Sequence, residues 1–146
     1  MTRAPVEDDK DEVLGLVATA LSWDLYGHGL PAVDVALGMA ETFSRYGRNI
    51  ADELRTQCLS VPADSWAGLG AQATLGEAGR RLTLRPLAPT AAPRSAAHRA
   101  QNLARLVQAL TRAIDQVSEE RARSSPPAAE MPPGAEISQS AHATHT

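Results

Sequence analysis

The sequence predicts an all-α protein, a four-helix bundle-like single domain with a disordered C-terminal tail. Apolar residues recur at alternating spacings of three and four in two long segments, which is the period of one face of an α-helix. Aromatic residues make up only 3% of the chain, and Ala, Leu and Val fill most apolar positions. These side chains favour closely packed helices over sheets, which are richer in β-branched and aromatic residues.

The chain length and the distribution of Pro and Gly indicate one helical domain between two terminal segments. A chain of 146 residues is long enough for one domain with its own core. We expect an acidic N-terminal arm at residues 1–8, the helical domain at residues 9–123, and a disordered tail rich in Pro, Ala, Ser and His at residues 124–146.

The first two helices are separated by a stretch with Gly and Pro. The first carries Val13, Val17, Ala20, Leu21 and Leu25 on one face. The second is predicted from about Pro31 to Leu59, with a buried face of Val33, Ala36, Ala40, Phe43, Gly47, Ile50 and Leu54. Its polar face predicts the ion pairs Glu41–Arg45 and Arg48–Asp52, each four residues apart.

The third predicted helix is rich in glycine. Asp64 or Ser65 is expected to cap it, and its apolar residues are Trp66, Leu69, Ala73, Leu75 and Leu82. We interpret Gly68, Gly70, Gly76 and Gly79 as positions of close helix approach, with an irregular loop as the alternative. A phosphate-binding loop is not favoured, because no lysine follows the glycines and no strand pattern precedes them.

The fourth predicted helix has the most regular pattern in the chain. Ser95 is expected to cap it, and its buried stripe is Ala100, Leu103, Val107, Leu110, Ile114 and Val117. The opposite face, which is expected to meet water, carries His98, Arg105, Arg112 and Glu119. No residue type in this helix indicates catalysis.

Charge is distributed unevenly along the chain, although the net charge is only -3. Residues 1–77 hold twelve acidic and five basic residues, whereas residues 78–114 hold seven arginines and no acid. We interpret this as complementarity between neighbouring helices in preference to a basic binding surface.

The arginines are nevertheless the one group with a use beyond packing, because guanidinium groups bind phosphate and carboxylate. We expect possible anion or partner contacts at Arg80, Arg81, Arg99, Arg105 and Arg112. Nucleic acid is not favoured, since the chain is acidic overall and only Asn102 and Gln108 could read bases.

The sequence shows no motif for catalysis, cofactor binding or a metal site, so none of these is predicted. His28 is alone between two glycines, and His142 and His145 lie in the predicted tail. The single cysteine, Cys58, suits a reducing compartment and a place in the core. With no signal peptide pattern and no apolar run of about 20 residues, we expect a cytoplasmic protein that does not enter membranes.

Three segments resemble a known family. These are YGRNIADELR at Tyr46 to Arg55, LGEAGRRL at Leu75 to Leu82 and AHRAQNLARLVQAL at Ala97 to Leu110. Together they resemble short actinobacterial proteins of unknown function that are often labelled automatically as natural product biosynthesis proteins. The resemblance covers about Val13 to Val117 and includes the signature Glu-Ala-x-Arg-Arg-Leu, which begins at Glu77. It implies a small helical domain and no catalytic residue.

Three functional hypotheses follow. The favoured one is a non-enzymatic helical interaction or regulatory module, associated with secondary metabolism, that binds a protein partner; a homodimer would also fit. The first alternative is a nucleic-acid-associated regulator that uses the arginines of the third and fourth helices. The second is a small accessory enzyme of natural product biosynthesis with a site near His28 and Trp23.

Overall fold

A computed structural model describes the backbone of residues 5–124 and the side chains of residues 9–124. The described chain forms four α-helices and one 3-10 turn: α1 (Pro5–Leu21), α2 (Val33–Gln57), the 3-10 turn (Cys58–Ser60), α3 (Trp66–Arg81) and α4 (Pro93–Ser124). Within this part of the chain there is no strand, so the all-α, bundle-like prediction is confirmed. The predicted tail lies outside the described residues, except for Ser124, which ends α4.

Helix α4 is the centre of the domain, because it packs against α1, α2 and α3. The predicted stripe is buried throughout, apart from Ile114, which is half-buried at the edge of the core. The buried face is wider than predicted and also contains Ala96, Ala97, Gln101, Ala104, Leu106 and Ala113. A helix that contacts three neighbours must bury more than one stripe. The predicted cap was wrong, since α4 begins at Pro93 and Ser95 lies inside it.

One polar side chain joins the end of α1 to α4. Gln101 is only 3% exposed, and its Nε2 donates to the carbonyl oxygens of Ala20 at 2.8 Å and Trp23 at 2.9 Å. Both carbonyls lie at or beyond the end of α1, where helical hydrogen bonding stops, and the carbonyl of Ala20 also accepts from the backbone N–H of Trp23 at 3.3 Å. The buried amide of Gln101 thus finds acceptors at the end of α1 and ties that end to α4.

Helices α1 and α2 differ from the predictions mainly at their ends. Helix α1 begins at Pro5, inside the segment expected to be an acidic arm, and Leu25 lies in the turn that follows the helix. In α2, Glu41 and Arg45 form the predicted ion pair, with 3.7 Å between nitrogen and oxygen. The predicted pair Arg48–Asp52 was wrong, because Asp52 pairs with Arg55 instead.

The predicted apolar face of α3 was wrong in its first two turns, whereas Leu75 and Leu82 are half-buried and pack against the core as predicted. Ser65 does cap the helix, since its Oγ accepts from the backbone N–H of Gly68 at 3.0 Å. However, Trp66 is 83% exposed and Leu69 is 57% exposed. The buried residues are instead small: Ala67, Gly68, Ala71 and Ala78. Small side chains let α3 approach α4 closely, whereas the large apolar side chains do not fit in that interface.

The glycines of α3 were predicted to allow close helix approach, but the tight contact at Gly68 is with the preceding loop. At Gly70 a Cβ would lie 3.7 Å from Oε1 of Gln116 on α4, which is an ordinary contact distance. A Cβ at Gly68 would overlap the carbonyl oxygen of Pro62, so the preceding loop requires glycine there. No atom lies within 4 Å of the Cβ position at Gly76 or Gly79. These two exposed glycines therefore do not serve close helix approach.

Candidate anion-binding cleft

A cleft of about 540 Å³ lies between α2, α4 and the segment that connects α3 to α4. We call it the arginine cleft. Its polar lining residues are Glu41, Ser44, Arg45, Arg48, Arg81 and Arg99. Its apolar lining residues are Leu37, Ala40, Leu84, Pro86, Leu87 and Leu103. The volume falls in the usual range for ligand pockets, as does the mixture of an apolar surface with a few polar groups.

A close approach between α2 and the end of α3 forms one side of the cleft. A Cβ at Gly47 would lie 3.3 Å from Cδ2 of Leu82, so glycine allows this contact. Beside it, Nη2 of Arg48 donates to the carbonyl oxygen of Leu82 at 3.4 Å. The connecting segment is thus held against α2, and the Arg48 guanidinium is held at the cleft.

Two further arginines attach to backbone carbonyls around the cleft. Nη1 of Arg99 donates to the carbonyl oxygen of Arg85 at 2.8 Å, and Nη1 of Arg81 donates to the carbonyl oxygen of Asn102 at 3.4 Å. A carbonyl is neutral, so these bonds position a guanidinium without cancelling its charge. Arg48 and Arg99 have no carboxylate partner among the described residues and keep most of their five N–H groups free.

The other two cleft arginines are partly compensated. Arg45 pairs with the exposed Glu41, and Nε of Arg81 donates to Glu77 at 2.7 Å. The hydrogen bond from Arg80, with the charges of Arg81 and Arg80, lowers the pKa of Glu77 against the opposing effect of desolvation. Four arginines and one carboxylate, Glu41, line the cleft itself, a net charge of +3.

The five arginines predicted as contacts do not form one site. Arg81 and Arg99 line the cleft, whereas Arg80 is exposed and bonded to Glu77. Arg105 and Arg112 are exposed on the outer face of α4, outside the cleft. Sequence reasoning missed Arg45 and Arg48 because it assigned both to ion pairs within α2. One sequence signal could have identified them: Arg45 and Arg48 are three residues apart and therefore lie on the same face of α2.

Five ion pairs of the described residues each join side chains three or four positions apart in the same helix. None of these five pairs joins an arginine of residues 78–114 to α2. Arg48 and Arg99 are in none of them and remain available to a ligand.

The remaining candidate residues lie away from the arginine cleft. His28 is exposed in a turn, and Trp23 is partly buried against the core. Neither lines the arginine cleft or a second cleft of about 290 Å³ between α1 and α2.

Cys58 is half-buried in the 3-10 turn, at the edge of the core. Among the described residues, no three His, Cys, Asp or Glu side chains are grouped to hold a metal ion. His142 and His145 lie outside the described residues.

The described residues form a small all-α domain with a basic, partly apolar groove. None of the helices described is both long enough and apolar enough to cross a membrane. Comparison with protein-family models, curated proteins and solved structures finds no match to this chain.

Proposed function

We propose that this chain is a cytoplasmic, non-enzymatic interaction module that binds an acidic segment of a partner protein in the arginine cleft. The observation that carries this proposal is that Arg48 and Arg99 lie in the cleft with uncompensated charge. Both guanidinium groups donate to backbone carbonyls beside an apolar surface, and neither has a carboxylate partner among the described residues. The resemblance to the actinobacterial family supports a role in natural product biosynthesis as part of the same proposal.

The energetics favour a carboxylate-bearing partner. A hydrogen bond that involves a charged group contributes about 1.5 to 3 kcal/mol, and the guanidinium fork can bind a carboxylate through two N–H groups. The 2.8 Å hydrogen bond that positions Arg99 before binding also lowers the entropy cost of association. A segment with several carboxylates would engage these arginines together and displace Glu41 from Arg45.

The test is a titration of a fluorescent peptide rich in Glu and Asp against two double variants of the full chain. We expect Arg48→Gln with Arg99→Gln to weaken binding about tenfold or more, since 1.4 kcal/mol corresponds to tenfold. Arg105→Gln with Arg112→Gln is the matched control, because it removes the same charge outside the cleft. We expect it to change affinity by less than about twofold, since screened surface charges contribute little. Equal losses in both variants would contradict a cleft-specific site.

The nucleic-acid alternative rests on a different observation. Arg105 and Arg112 have no described partner and lie about 10 Å apart on the outer face of α4. Duplex DNA added to the same proteins separates the two proposals. If DNA affinity falls by about 0.9 log units per log unit of salt for each phosphate contacted, and the control variant flattens that slope, the regulator replaces the interaction module. We expect no DNA binding at physiological salt.

A further inference from the structure

We infer that the segment bound in the arginine cleft is a short acidic motif with one large apolar side chain, which packs against Leu84 and Leu87. This inference rests on the proposed function and adds the length and the apolar anchor of the partner segment. It follows from two properties of the cleft: its apolar surface and its length.

The apolar surface calls for an anchor. Leu84 is 46% exposed, which makes it one of the few large apolar side chains of the described chain that face water. It lies on the connecting segment beside Leu87, with Leu103 of α4 also lining the cleft. A purely acidic segment would leave Leu84 and Leu87 in contact with water or with charged groups. An apolar side chain would instead exclude water from them and strengthen the neighbouring ionic contacts.

The length of the cleft sets the length of the segment. Its wall on α2 runs from Leu37 to Arg48, a rise of about 16 Å at 1.5 Å per residue. An extended chain advances about 3.3 Å per residue. About five extended residues would therefore span the cleft.

The alternation of side chains along an extended segment sets where its acidic residues are needed. Successive side chains of an extended chain point to opposite faces, so the anchor shares its face with the residues two positions before and after it. Acidic residues at those two positions would face the same lining as the anchor, which includes Arg48 and Arg99.

The experiment compares peptides of five residues in which four are Glu or Asp and the central residue is Leu or Ala. We expect the Leu peptide to bind the full chain about tenfold more tightly than the Ala peptide. In the protein, Leu84→Ala should remove most of this preference. The control Leu59→Ala, at an 83% exposed position outside the cleft, should leave it unchanged.

Each contrary outcome has a distinct meaning. Equal affinity of the two peptides, with binding still lost in the Arg48→Gln and Arg99→Gln variant, would overturn the anchor and leave the proposed function standing. No binding of either peptide would overturn both. Tighter binding of a longer, helix-stabilised acidic peptide would overturn the five-residue length of the motif. A dimer of the chain alone that the double arginine variant dissociates would identify a second copy as the occupant and overturn this inference.

Discussion

Replacement of Phe43 by Ala is expected to lower the free energy of unfolding by about 3 to 5 kcal/mol. Phe43 is the only phenylalanine in the chain, and its side chain is completely buried in the middle of α2. Removing the ring loses its burial and leaves a cavity that the surrounding helices can only partly fill. Domains of this kind are stable by only about 5 to 15 kcal/mol, so this change removes a large share of the total.

Chemical denaturation of the variant and of a matched control tests this expectation. Val35→Ala alters the same helix at a position that is 50% exposed, and it should cost less than about 1 kcal/mol. A Val35→Ala loss as large as that of Phe43→Ala would show that α2 is rotated relative to the structure.

Leu110→Ala is expected to cost about 2 to 5 kcal/mol. Leu110 is completely buried on α4, the helix that packs against the three others. Arg112 lies two residues further on the exposed face, so Arg112→Ala should cost less than about 0.5 kcal/mol. The free energies of unfolding of both variants are to be measured from the midpoints and slopes of urea denaturation curves. If the arginine substitution were the more damaging, the assignment of the buried face of α4 would be wrong.

The parts of the fold that sequence reasoning predicted well are those with strong helical periodicity. In α4, the side chains of Leu103, Val107 and Leu110 are large and apolar at every buried turn, so the pattern identifies the buried face. In α3 the same logic fails, because the interface is built from Ala and Gly. A prediction from hydrophobicity alone then places Trp66 and Leu69 in the core, although both are exposed in the structure.

The candidate site was only partly predictable, because it depends on contacts between residues that are distant in sequence. Arg48 bonds to the carbonyl of Leu82, and Arg99 bonds to that of Arg85. Such bonds to backbone carbonyls leave no pattern in side-chain types. The excess of arginine in residues 78–114 indicated Arg81 and Arg99. Only the tertiary structure shows that they line the same cleft as Arg45 and Arg48 of α2.

The central claim, that the arginine cleft is where an acidic partner binds, is tested most directly by NMR. The acidic peptide with a central Leu is titrated into the isotope-labelled full chain, and the amide shifts are mapped onto the fold. We expect the largest changes on three segments that line the cleft: residues 37–48, 81–87 and 99–103. Changes centred on the outer face of α4 around Arg105 and Arg112, with none at these three segments, would contradict the claim.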